Sequence, residues 1–321
     1  MGKHILSSAA FLLILAVLIG AATFVVQPKD NTKAAGMHNP QANGILGEPE
    51  NTIDVLFLGS SEAYCSIIPM EIWKDHGITS YVCGTNGQRL YQAEEFLRDA
   101  FKTQKPKIVV LETLGLYTNY GQTEALPEMA EAWLPILRYH DRWKNLGAVD
   151  WYQPARYTHV QGDKGYQLYR EHDAADTAGY MEPTERVVPI PSKNIRYLEN
   201  IQKLCQKTGA QLVFLSTPST INWNSPRHNG TVAQAEKMGV AYLDLNCMER
   251  EVPIDWEVDT RDQGDHMNYT GAKKVTAFVG QWLADTGLFE DKRSREAYSQ
   301  WNRFLQEYLE STAADKSNDK K

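Results

Sequence analysis

Short, unbroken apolar runs separated by stretches of helical periodicity leave this chain few ways to fold. Val55 to Leu58, Ile108 to Leu111, Gln211 to Ser216 and Val240 to Leu245 read as strands, with Tyr81-Val82 as a further short one. Apolar runs without alternation are what strands covered on both faces show. Between them, Pro69 to Gly77, Tyr91 to Phe101, Pro191 to Lys207 and Thr231 to Gly239 carry helical spacing, two with a proline near the start and three with a glycine at or just beyond the end. Alternating strands and helices imply βαβ crossovers, hence an α/β fold whose central parallel sheet is covered by helices on both faces.

The first run stops abruptly, in Asp54-Val55-Leu56-Phe57-Leu58-Gly59-Ser60-Ser61-Glu62. In an open parallel sheet, ligands bind beyond the carboxyl ends of the strands, and a glycine there lets the backbone turn sharply. Ser61 is thereby placed at the mouth of the crevice. An ordinary Gly-Ser-Ser turn is the plain alternative. A second stretch, Asp262-Gln263-Gly264-Asp265-His266-Met267-Asn268-Tyr269, adds weight to the chemical reading. It precedes a helix marked by Val275, Phe278, Val279, Trp282 and Leu283. A serine hydroxyl is a weak nucleophile until an imidazole takes its proton and a carboxylate holds that imidazole in the right tautomer. His266 with Asp262 or Asp265 supplies both groups. The competing reading makes Asp265 or Asn268 a helix cap and His266 a surface residue.

The ends of the chain differ from its middle. Residues 5 to 26 form an uncharged 22-residue apolar run. At about 1.5 Å per residue it is long enough for the roughly 30 Å hydrocarbon core of a membrane. That length favours an uncleaved anchor over residues 1–26, with signal-peptide cleavage near Ala21-Ala22 as the alternative. Lys3 before the run, and Lys29 and Lys33 after it beside Asp30, leave the orientation open. Residues 27–50, rich in Asn, Gly, Pro, Ala and Lys, are expected to form a flexible linker. Residues 51–290, roughly 240 in all, suit one α/β domain. Beyond them, residues 291–321 are expected to hold a helix over Tyr298 to Tyr308 and then a disordered charged tail.

Within the domain, residues 115–192 read as an aromatic-rich insertion, carrying Tyr117, Trp143, Trp151, Tyr157 and Tyr180 among others. Such rings could line a carbohydrate or lipid-headgroup cleft, or simply bury the insertion against the sheet. His140 and Arg142 are its candidates for contact with an anionic group, and His228 is a secondary candidate elsewhere. Nothing resembles a metal-ligand spacing, and no cofactor is expected. The net charge of -7 argues against a nucleic-acid partner. Four cysteines, Cys65, Cys83, Cys205 and Cys247, allow three pairings, but a domain of this size needs none. Cys65 is a minor alternative nucleophile.

Phe57-Leu58-Gly59-Ser60-Ser61-Glu62 together with Asp265-His266-Met267-Asn268-Tyr269-Thr270-Gly271-Ala272-Lys273-Lys274 resembles the SGNH/GDSL hydrolase superfamily. More closely, it resembles the membrane-anchored bacterial envelope branch related to the D-alanyl-lipoteichoic-acid biosynthesis family. The resemblance runs from about residue 52 to 284. It implies a flavodoxin-like three-layer α/β/α domain outside the cytoplasm, with Ser61 as nucleophile and His266 as general base and acid. Two departures stand out. The family's aspartate position, three before the histidine, is Gln263, so Asp262 or Asp265 must serve; alternation of side chains in extended chain favours Asp262. The family's Gly-x-Asn-Asp block is replaced by Glu112-Thr113-Leu114-Gly115. Oxyanion donors are sought instead in Cys83-Gly84-Thr85-Asn86-Gly87-Gln88, as the N–H of Gly84 or Gly87 or the Asn86 amide, although Asn-Gly is equally an ordinary turn.

The resemblance further implies an esterase or O-acyltransferase acting on an acylated cell-wall polysaccharide or exopolysaccharide. Its partners would be the membrane, through the N-terminal helix, and a membrane-bound acyltransferase. The alternative is a non-catalytic envelope protein that binds glycan or such a partner.

Overall fold

The computed structural model describes residues 2–314 and divides into two compact units. In chain order the helices are α1 (Gly2–Val26), α2 (Ser61–Ser66), α3 (Pro69–His76), α4 (Leu90–Ala100), α5 (Leu114–Tyr117), α6 (Gln122–Trp133), α7 (Pro135–Arg138), α8 (Ser192–Thr208), α9 (Ser225–Met238), α10 (Tyr269–Asp285) and α11 (Ser299–Ala314). The smaller unit comprises the chain up to Pro40 and Tyr120–His159; the larger comprises Gln41–Asn119 and the chain from Val160 onward.

The larger unit is built on a five-stranded parallel sheet of β1 (Val55–Gly59), β2 (Ser80–Gly84), β3 (Ile108–Glu112), β4 (Gln211–Ser216) and β5 (Ala241–Asp244). Its order is β2-β1-β3-β4-β5, the flavodoxin-like doubly wound arrangement. β1 lies between β2 and β3, with Val55 level with Ser80 and Ile108, and all five of its residues are buried. Successive β1 side chains point to opposite faces. Leu56 and Leu58 pack with Leu97, Leu198, Ile201 and Trp301, whereas Val55 and Phe57 pack with Ile72, Val275, Val279 and Leu283. Two apolar layers, one on each face, explain why these strands lack polar alternation.

Local chemistry fixes several element ends. α3 starts at Pro69 and stops where Gly77 adopts φ +66°. The segment after Ser60 is a helix rather than an extended turn, because the Ser60 side chain accepts the Glu62 N–H as an N-cap. α9 begins six residues before the expected Thr231, since the Asn224 side chain accepts the Arg227 N–H and Pro226 occupies its first turn.

Residues 27–50, expected to be a flexible linker, carry buried side chains and specific partners. In the smaller unit, the Asn31 side chain donates to the His159 carbonyl at 2.9 Å and accepts the His159 N–H at 3.0 Å. Val26, Met37 and Tyr139 form a small core in the same unit. In the larger unit, Ala42 and Ile45 are buried in a 3-10 turn, and the Tyr81 hydroxyl donates to the Gln41 carbonyl at 2.7 Å. Glu48 pairs with Lys164 at 2.8 Å, both side chains being fully buried, and the Lys164 ammonium faces the Trp301 and Phe304 rings at 4.5 and 4.8 Å. Polar composition signals a linker only while its side chains lack partners, and here they have them.

Residues 115–192 are divided between the two units, with 120–159 in the smaller one. The expected helix near residue 298 is α11, which buries Trp301, Phe304 and Tyr308. The charged tail beyond residue 314 lies outside the described residues. α1 is apolar around its whole circumference and is exposed, with Ile5, Leu6, Leu13 and Val17 each more than 60% accessible. Among the described residues it is the one helix long and apolar enough to cross a membrane, a property that a signal sequence shares.

Candidate active site

Ser61 stands at the first position of α2, directly beyond the carboxyl end of β1. The turn that places it requires Gly59: a Cβ there would lie 2.5 Å from the Glu112 Cβ. His266 comes from a small hairpin of β6 (Thr260–Arg261) and β7 (His266–Met267), in which Arg261 pairs with His266. Its Nε2 lies 2.8 Å from Ser61 Oγ. Its Nδ1 lies 3.0 Å from Asp262 Oδ2 and 3.5 Å from Asp265 Oδ2. Ionised carboxylates only accept, so the imidazole proton sits on Nδ1 and Nε2 is left to receive the serine proton.

The hairpin connection brings Asp262 onto His266. Asp262, Gln263 and Gly264 have φ values of +54°, +57° and +90° in succession. Two non-glycine residues in this region cost on the order of 1 kcal/mol each. The glycine is required by space as well as by φ: a Cβ on Gly264 would meet Thr220 Oγ1 at 2.2 Å and Ala175 Cβ at 2.6 Å. The Gly264 carbonyl in turn accepts the Thr220 N–H at 3.0 Å and the Ser219 hydroxyl at 3.1 Å, which locks the turn to the loop after β4. Arg261 donates to Asp262 at 2.6 Å and lies over the Tyr169 ring at 3.9 Å, so the exposed carboxylate is held from a second side. Immediately downstream, Asn268 caps α10 by accepting the Thr270 and Gly271 N–H groups. The helix cap is therefore Asn268, not Asp265.

Behind the nucleophile lies a buried acidic network that sequence spacing did not reveal. Glu62 Oε1 accepts from the Asn222 amide at 2.8 Å, and the same amide nitrogen also donates to Asp265. Thr217 donates to Glu62 Oε2 at 3.3 Å. Glu112 Oε2 accepts the Ser60 hydroxyl at 3.0 Å, and its Oε1 accepts the Leu114 N–H at 2.6 Å. Burial holds the Glu62 carboxyl well above the usual range, and the nearby Glu112 charge adds to the effect. Burial also raises Glu112, to about 7, against the lowering effect of its N–H and hydroxyl donors. Asn222 therefore bridges the residue after the nucleophile to the residue before the base. Nothing in its local sequence marked it; the apposition is made by the sheet.

Of the remaining candidates, Gly84 adjoins the nucleophile turn: a Cβ on it would lie 3.3 Å from the Ser60 carbonyl oxygen. Gly84 is level with Gly59 at the carboxyl end of β2, and Thr85 donates its N–H to the Gly59 carbonyl at 3.2 Å. Asn86 and Gly87 are exposed in the turn that follows, with Gly87 at φ +56°. His140 and Arg142 belong to the smaller unit, whereas Ser61, His266, Asp262 and Asp265 belong to the larger. Arg142 is engaged within its own unit, donating to the Val26 carbonyl at 2.6 Å and pairing with Asp150 at 2.9 Å. All four cysteines are free thiols. Cys65 is buried, which pushes its thiol up to about 12 and makes it a poor nucleophile.

No protein-family model and no curated protein matches the chain. Among solved structures it is similar to a GDSL-like lipase from Bacteroides thetaiotaomicron, at 13% identity and a TM-score of 0.36, over 72% of this chain and 88% of that one. It is also similar to the psychrotrophic esterase EstA from Pseudoalteromonas sp., at 9% identity and a TM-score of 0.38, over 72% of this chain and 98% of that one. Likeness at this level assigns neither family nor chemistry.

Proposed function

We propose that this chain is a serine esterase or O-acyltransferase of the SGNH/GDSL kind, anchored by α1, with its larger unit outside the cytoplasm and acting on acyl esters of envelope polysaccharide. The observation that carries the reading is the approach of Ser61 Oγ to His266 Nε2 at 2.8 Å, with a carboxylate on the opposite ring nitrogen. Ser61 Oγ attacks the ester carbonyl while its proton passes to Nε2, and Asp262 stabilises the imidazolium. The tetrahedral oxyanion needs N–H donors; the Ser61 N–H, first in its helix, has no intrahelical acceptor and is suited to this. Collapse releases the alcohol, which takes the proton from Nε2, and leaves an acyl group on Ser61. Water, or a sugar hydroxyl deprotonated by Nε2, then attacks the acyl carbon and Ser61 leaves with the proton returned.

The extracytoplasmic, polysaccharide-directed part rests on the length and apolarity of α1 and on the sequence resemblance. A membrane-held catalyst suits an acyl acceptor or donor made at the same surface, including a membrane-bound acyltransferase partner.

One observation favours a second reading, a binding module that keeps the fold without the chemistry. After β3, where the resembled family carries its Gly-x-Asn-Asp block, the Leu114 N–H is taken by Glu112 and the Thr113 N–H by the Leu215 carbonyl. Labelling with a fluorophosphonate, followed by mapping of the modified peptide, separates the two. Modification at Ser61 that disappears in His266→Ala supports the enzyme; an unmodified Ser61 in folded protein supports the binding module.

A further inference from the structure

Beyond the Ser61 site, the carboxyl end of β5 carries a second cluster of chemically active side chains. His228 lies in the first turns of α9, Asp244 ends β5, and Cys247 closes the 3-10 turn Leu245–Cys247 that follows. His228 Nδ1 is 2.6 Å from Asp244 Oδ2 and 3.6 Å from Cys247 Sγ. One donor atom from each of the three residues falls within 4.8 Å of the others.

We propose that His228, Asp244 and Cys247 form a binding site for one zinc-type divalent cation, with water as the fourth ligand. The donor set of one imidazole nitrogen, one carboxylate oxygen and one thiolate suits a borderline-soft first-row ion and is poorly matched to magnesium or calcium. Tetrahedral coordination at the usual bond lengths separates nitrogen from sulfur by roughly 3.5 Å and nitrogen from oxygen by roughly 3.3 Å. The nitrogen–sulfur spacing of 3.6 Å is already present, and the 2.6 Å nitrogen–oxygen contact must widen for an ion to enter. The cation takes the place of the proton shared between Nδ1 and Asp244, His228 keeps a proton on Nε2 as a neutral ligand, and the Cys247 thiol proton is released to solvent.

Four further hydrogen bonds fix the Asp244 carboxylate in place. Trp223 Nε1 and the Tyr242 hydroxyl donate to Asp244 Oδ2 at 2.9 and 2.7 Å, while the Asn246 N–H and side-chain amide hold Oδ1 at 3.0 and 2.7 Å. Such outer partners fix ligand orientation. Access for the ion and a water is present, because Cys247 is exposed and the His228 side chain is 28% accessible. The serine chemistry uses none of these three residues, so the site stands or falls independently of it.

The test is cobalt(II) titration of the metal-free full-length protein in detergent, read by its thiolate-to-cobalt charge-transfer absorption. The expected result is a band that saturates at one cobalt per chain, disappears in Cys247→Ser and weakens in His228→Ala. Trp223→Phe should lower the affinity by about 10- to 100-fold while retaining the band. Circular dichroism establishes that each variant is folded, and Cys247→Ser, an exposed substitution, is the decisive one. Absence of the band in folded wild type, or a band of equal strength in Cys247→Ser, overturns the proposal.

Discussion

Asp262 Oδ2 lies 3.0 Å from His266 Nδ1, although the two residues are four apart in a two-stranded hairpin. The left-handed turn through Asp262, Gln263 and Gly264 makes the contact possible, and Asp265 stands half an ångström farther off at 3.5 Å. Asp262 is thus the better-placed partner for the imidazole. Asp262→Asn should lower kcat by roughly two to four orders of magnitude, because an amide permits the wrong tautomer. Asp265→Asn should cost about tenfold or less, since Asp265 lies farther from the ring. Steady-state kinetics on both variants checks the ranking; the reverse order would make Asp265 the orienting carboxylate.

Gly264 has no room for a side chain. Gly264→Ala combines a positive φ with a close approach to Thr220 and Ala175, and should destabilise the larger unit by about 2 kcal/mol or more. Because the same turn carries Asp262, ester hydrolysis should fall further than the fraction of unfolded protein explains. Thermal unfolding and kinetics on the same sample separate the two effects.

Glu112 links stability to pH. Its folded pKa of about 7 exceeds the unfolded value near 4.5, so between these values the folded chain holds a proton that the unfolded chain has lost. Stability therefore falls as pH rises from about 4.5 to about 7, by up to about 3 kcal/mol from this group alone. Glu112→Gln should flatten that part of the profile. Unfolding midpoints of wild type and variant across this range check it; parallel profiles would show that Glu112 ionises normally.

The exposed apolar α1 carries a localisation prediction. Alkaline carbonate washing of membranes should leave the full-length chain in the pellet, as expected of a helix that spans the bilayer. A shortened chain in the soluble fraction would identify residues 1–26 as a cleaved signal instead.

Much of this arrangement was legible in the residues because it depends on local pattern. Unalternated apolar runs gave β1, β3 and β4 nearly to the residue, and Gly59 marked the turn that presents Ser61. The Asp262–His266 contact was foreshadowed by side-chain alternation but is completed by backbone conformations that no local rule assigns to Gln263. The Glu62–Asn222–Asp265 bridge was invisible, since it joins side chains 160 and 43 residues apart through the sheet order. Residues 27–50 misled for a related reason: their polar side chains acquire partners, such as His159 for Asn31 and Lys164 for Glu48, only once distant segments are in place.

The most direct measurement is hydrolysis of p-nitrophenyl acetate by the full-length protein in detergent, comparing wild type with Ser61→Ala and His266→Ala. The account predicts turnover by wild type and a loss of roughly three or more orders of magnitude in each variant, with circular dichroism unchanged. Equal turnover in wild type and Ser61→Ala would contradict it.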